Sequence, residues 1–167
     1  MAGPVPVTFD VNVFVAAVAA GHDDFRSWPS PPPLRGSYAA NAVGVVNDAR
    51  ELALWLSPHI LRNVMVVLTD EDSGFGWSAD DAKEYLEIIV DIAYASGGGV
   101  VDPVEAVIDC PDHEDNRILE CAAASDSLMV VSNDTDLAHM SPWRGIPIVH
   151  VSDFVRRVDV SRRRKKR

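Results

Sequence analysis

Apolar residues along this chain alternate between short unbroken runs and longer stretches where they recur every three or four positions. The runs are Val5 to Phe9, Leu52 to Leu56, Val100-Val101, Leu128 to Val131 and Ile146 to Val151. Short runs of this kind predict strands buried on both faces. Their expected bounds are 5–10, 52–56, 100–101, 128–132 and 146–151.

Helical periodicity fills the gaps. A helix begins near Asn12 and carries Val13, Phe14, Ala17 and Val18; another covers 38–49 through Ala39, Ala42, Val43 and Val46. Ser57-Pro58 predicts an N-cap followed by proline in the first turn, opening a helix over 58–68. Asp70 to Trp77 reads as a Gly/Asp-rich turn, and Ser78 caps a helix over 79–95 that Gly97-Gly98-Gly99 ends. Residues 104–113 lead to a helix over 114–125, a short helix starts at Asp134, and Ser152 caps the last one. Strands alternating with helices predict an α/β fold with a mainly parallel sheet.

Acidic residues stand where these elements end or begin. The first run ends at Asp10, Asp115 opens a helical pattern, and Val130-Val131 leads into Ser132-Asn133-Asp134-Thr135-Asp136. In parallel sheets the carboxyl ends of the strands form the ligand crevice. Carboxylates gathered there repel unless a positive charge sits between them, and hard divalent cations suit such oxygen donors. Each aspartate alone has a plain structural reading, as a strand-end cap or a first-turn acid favoured by the helix dipole. Asp70, Glu71, Asp72, Asp80 and Asp81 read as solvated charges. The five histidines show no ligand spacing, and the four tryptophans read as core or interface residues.

Composition narrows the class. A chain of 167 residues suits one domain, here expected over 1–160 with a Pro-rich insert at about 21–36 and a basic tail at 161–167. Two cysteines give neither a disulfide framework nor a zinc spacing, which points to the cytoplasm. No apolar stretch reaches membrane-spanning length, and no signal-peptide pattern opens the chain. The net charge of −10 hides a split, because Arg162, Arg163, Arg164, Lys165, Lys166 and Arg167 leave −16 on residues 1–161. These six cations are expected to be disordered or weakly helical. They serve either as a solubilising tail or as an RNA-binding arm.

Taken in order, Phe9-Asp10-Val11-Asn12-Val13-Phe14-Val15, Asp112-His113-Glu114-Asp115-Asn116-Arg117-Ile118-Leu119-Glu120 and Val130-Val131-Ser132-Asn133-Asp134-Thr135-Asp136-Leu137 resemble the PIN-domain family of metal-dependent ribonucleases. The likeness covers nearly all of 5–158 and is greatest to the toxins of bacterial toxin–antitoxin pairs. It implies a three-layer α/β/α sandwich and an acidic cluster holding Mg²⁺ or Mn²⁺. Carried over by position, Asp10, Asp115 and Asp134 are the catalytic and metal-binding acids, with Asp136 as a further metal ligand. Asn12, Asn133 and Glu114 are supporting residues. The implied partners are an RNA substrate and a small antitoxin, with a homodimer left open.

One position departs from the family pattern. Where a glutamate is usual in the helix after the second strand, this chain has Asn63, which brings no negative charge. Restoring an acid there is expected to tighten Mg²⁺ binding. An alternative reading follows: a catalytically weak PIN fold that binds RNA or protein. A remoter one is a small-molecule phosphohydrolase with an aspartyl nucleophile. It fits poorly, because Asn12 stands where an Asp-x-Asp pattern needs acid and the only lysines are Lys83, Lys165 and Lys166.

Overall fold

The fold was analysed in a computed structural model that describes residues 3–19, 37–48 and 51–167. The Pro-rich insert and Trp28 lie outside the described residues. The strands are β1 (Val5–Phe9), β2 (Leu52–Leu56), β3 (Gly99–Val100), β4 (Met129–Val131) and β5 (Ile148–Val149). The helices are α1 (Val11–Ala17), α2 (Tyr38–Asn47), α3 (Pro58–Thr69), α4 (Ala79–Ala95), α5 (His113–Ala124), α6 (Thr135–Ala138) and α7 (Val151–Lys165). All strand pairings are parallel, in the order β3-β2-β1-β4-β5. This is the α/β sandwich expected from the sequence.

Alternation along β1 shows how the layers form. Side chains of successive strand residues point to opposite faces. Phe9 meets Phe14 of α1 and Phe154 of α7, with ring centroids 5.8 and 5.3 Å apart. Thr8 points the other way, its hydroxyl paired with Ser127 at 2.9 Å and donating to the Cys121 thiol of α5 at 3.8 Å. Helix α5 therefore covers the face opposite α1 and α7. The strand order agrees with this, because right-handed crossovers place helices on opposite faces when the order reverses.

Several boundaries follow from local chemistry. Ser57 and Ser78 cap α3 and α4 as expected, accepting from the Ile60 and Asp81 N–H groups. Gly98 must be glycine, since a Cβ there would sit 1.9 Å from the Leu54 carbonyl oxygen. Two expectations are corrected. The last strand is short because Trp143 and Ile146 close a local bridge before it, and α7 begins at Val151. Its cap is His150, whose Nδ1 accepts from the Ser152 N–H at 3.2 Å, so Ser152 is not the N-cap.

Of the two states expected for the tail, the structure shows the helical one: helix α7 runs through Lys165 and takes in most of the basic segment. Arg162 donates to Asp48 at 2.6 Å, to both Glu51 carboxylate oxygens at 3.0 Å, and to the Val45 carbonyl. It anchors α7 to the end of α2 and the start of β2, so its guanidinium is already engaged by protein partners. Glu51 lies beside the first residue of β1, its carbonyl accepting from Val5 N–H. The basic end of α7 therefore sits at the amino end of the sheet. Asp10 is at the other end of a five-residue strand, roughly 16 Å away at the usual rise per residue.

Candidate active site

Strands β1 and β4 are neighbours, and the chain leaves them toward opposite edges of the sheet. Such a switch point leaves a crevice at the carboxyl ends of the two strands. Asp10 follows β1 there, Asp134 follows β4, and the first turn of α5 brings Asp115. Asp10 occupies the N-cap position of α1 but its side chain does not cap that helix. Its Oδ2 instead accepts from the Ser132 hydroxyl at 2.6 Å and the Asn12 amide at 3.2 Å. Asn12 also accepts from the Asn133 N–H, and Ser132 accepts from the Asp134 N–H at 2.9 Å. One short network thus joins the turn after β1 to the turn after β4.

The electrostatics are those of crowded acids. Asp10 and Asp115 are buried, at 7% and 5% exposure. Burial raises the Asp10 carboxyl above its ordinary range, and the nearby Asp134 charge adds to this. Asp115 is pushed up to about 6, first by burial and then by Asp134, Asp10 and Asp112. The charged neighbours acting on Asp115 are all acids. The Cys110 thiol donates to its Oδ2 at 3.7 Å.

The other candidates are placed as follows. Asp134 commits Oδ1 to capping α6, accepting from the Asp136 N–H at 2.8 Å, so the capping reading holds alongside its closeness to the other acids. Asp136 is exposed in that first turn. Asn133 has a buried amide oxygen with no hydrogen-bond partner. As the side chains stand, no three His, Cys, Asp or Glu residues among those described are grouped to hold a metal ion. Asn63 meets Glu114: its amide donates to Glu114 Oε2, and the His59 Nε2 lies 2.7 Å from the same oxygen. Glu114 is held below its usual range, chiefly by His59. An acid at position 63 would face that carboxylate directly, so the new charge would meet a like charge in the absence of a cation.

Sequence reasoning passed over four contributors. Asp112 caps α5 through the Glu114 N–H at 2.8 Å and adds charge beside Asp115. Asn116, 1% exposed, holds the Cys110 backbone through both its amide atoms at 2.8 Å and fixes the loop entering α5. Cys110 and His59 complete the set. The Asp-x-x-x-Asn spacing at the start of an apolar helix was the available signal for Asp112 and Asn116. Nothing local in the sequence marked His59, whose partner lies 55 residues away.

A parallel sheet with acidic residues at its switch point places the protein among α/β folds with an acidic crevice at the carboxyl ends of the strands. The PIN domain family model matches residues 6–136, most of the chain, and the chain belongs to that family. Its fold is accordingly a nuclease-type fold, and PIN nucleases act on nucleic acid. No curated protein matches the chain significantly. No described helix is long and apolar enough to cross a membrane.

Asp115 gives a direct pH test. Its folded pKa lies above the ordinary value of 3.8, so the folded state favours the protonated form. That stabilisation is complete below about pH 4 and is lost as pH rises through about 6. Without divalent ions, Asp115→Asn is expected to unfold at a higher temperature than the parent at pH 7. The gain corresponds to about 1–2 kcal/mol and should vanish near pH 4. Thermal melts at both pH values in chelator measure it, and a pH-independent difference would refute the crowding.

Proposed function

We propose that the protein is a metal-dependent endoribonuclease that cleaves RNA phosphodiesters in the cytoplasm. The supporting observation is the convergence of Asp10, Asp115 and Asp134 from three separate segments, with the charges around Asp115 all negative. The donor set fits a hard cation: carboxylate oxygens plus the unpartnered amide oxygen of Asn133. Asp10, Asp115 and Asp134 are the residues that would hold Mg²⁺ or Mn²⁺, with Asp136 next to them in sequence. Asp134 would have to turn from its capping position to join. The chemistry such an ion supplies is an acidified attacking water and neutralisation of charge building on the phosphate.

The chain's own residues have distinct tasks in this reading. Ser132 and Asn12 hold Asp10 in one orientation and keep it from capping α1. Asp115, whose carboxyl is raised to about 6 by burial and the neighbouring acids, can take a proton from the attacking water. Asn133 offers polar atoms to the substrate at the turn after β4. Arg163, Arg164, Lys165, Lys166 and Arg167, at the far end of the sheet, would touch RNA only beyond the cleaved bond.

The role within the cell is proposed on the resemblance alone: the toxin of a toxin–antitoxin pair, restrained by a small protein. The catalytically weak binding module remains the second reading, favoured by Asn63. The experiment is cleavage of a generic single-stranded RNA titrated with Mg²⁺ and Mn²⁺. Cleavage that rises with either ion and stops in chelator supports the nuclease. RNA binding without cleavage at any ion concentration supports the binding module.

A further inference from the structure

Three side-chain atoms from two helices meet at the mouth between α3 and α5. The His59 Nε2 lies 2.7 Å from Glu114 Oε2 and 2.9 Å from the Asn63 amide, and that amide touches the same Glu114 oxygen. These contacts form a closed triangle, and no assignment of protons makes all three sides hydrogen bonds. Glu114 is ionised at neutral pH and only accepts. If Nε2 carries the proton, it donates to Glu114, and its contact with the Asn63 NH₂ joins two donors. If Nε2 is bare, the amide donates twice, and the 2.7 Å contact joins two acceptors. Turning the Asn63 amide over puts its oxygen against the carboxylate oxygen, again two acceptors.

A shared cation removes the conflict. With the amide turned, the triangle becomes an imidazole nitrogen, an amide oxygen and a carboxylate oxygen, each within 2.9 Å of the other two. Ligands about 2.1 Å from an ion in octahedral geometry stand roughly 3 Å from one another. The two separations from His59 Nε2, 2.7 and 2.9 Å, are close to that, and the Asn63–Glu114 contact, at 2.5 Å, would open by about half an ångström around the ion. We propose that His59, Asn63 and Glu114 form a binding site for a borderline first-row divalent cation of the Zn²⁺ type. Imidazole in the set favours such an ion over Mg²⁺, which prefers oxygen alone. The half-exposed setting, with side-chain exposure of 25% for His59 and 64% for Glu114, leaves water to fill the remaining positions.

This site uses none of the three aspartates of the proposed cleft and does not depend on the nuclease reading. Glu114 precedes Asp115 in the first turn of α5, on a different side of the helix. The position also explains why an amide suffices at 63: it completes a mixed nitrogen–oxygen set across from Glu114.

The test uses the full chain and Zn²⁺ alone as the probe, measured by calorimetry. His59→Ala and Glu114→Gln are each expected to weaken Zn²⁺ binding at least about tenfold, as loss of a ligand or its support does. His139→Ala, an exposed histidine elsewhere, should leave it unchanged, and in Asp10→Asn the His59-dependent part of the Zn²⁺ binding should persist. In ¹⁵N spectra the His59 Nε2 resonance should shift on adding Zn²⁺ and not on adding Mg²⁺. Unchanged affinity in His59→Ala would overturn the proposal and leave an ordinary polar cluster. Loss of Zn²⁺ binding in Asp10→Asn alone would also overturn it, by placing the ion on the aspartates. Failure of RNA cleavage with the Zn²⁺ results intact would count against the nuclease reading only.

Discussion

Asp10→Asn is expected to reduce RNA cleavage by at least about 100-fold while leaving the fold intact, since removing a principal metal carboxylate forfeits several kcal/mol of charge stabilisation. The substitution keeps the size of the side chain. Its amide oxygen can still accept from the Ser132 hydroxyl, which now lies 2.6 Å from Asp10 Oδ2. It removes a buried charge whose carboxyl is already raised by burial and by Asp134. The thermal midpoint in chelator should therefore hold or rise, while Mn²⁺ affinity falls with activity. Cleavage assays at fixed Mn²⁺, paired with melts in chelator, separate the two effects. Full activity in the variant would end the assignment of this crevice as the active site. Loss of activity together with a lower midpoint would indicate damage to the fold instead.

The layered architecture was legible because burial on both faces leaves an unbroken apolar run. Leu52–Leu56 and the helices capped by Ser57 and Ser78 could be bounded almost to the residue. Strand ends were less legible where tertiary pairing decides them. Val101 continues the β3 run in sequence, and its N–H donates to the carbonyl of Leu56, the last paired residue of β2, where the pairing ends. The acids were legible through their order along the chain. What they do to one another was not, because the contribution of Asp112 and the loop hold by Asn116 depend on how residues 101–112 fold back. The His59–Glu114 contact spans 55 residues and has no periodic signature at all. Charge runs mislead for a related reason: composition reports the number of cations and not which of them finds a buried partner.

Arg162→Ala is expected to destabilise the protein by about 3 kcal/mol, the cost typical of breaking a buried ion pair from one side. The Asp48 side chain is 1% exposed and that of Arg162 15%, so water cannot replace the lost partner easily. Asp48 Oδ1 already lacks a hydrogen bond, and the substitution would strip the other oxygen of the Arg162 contact as well. Glu51, 22% exposed at its side chain, would lose a two-pronged contact at the same time. Arg164→Ala removes the same charge two residues along from an exposed position and should change stability by less than about 0.5 kcal/mol. Urea unfolding of the two variants side by side is the measurement. Equal, small losses would mean that Arg162 is a surface cation after all and would return it to the basic arm. A large loss confined to Arg162 would show that the first residue of the basic run closes the amino end of the sheet, and would restrict any contact with RNA to the residues after it.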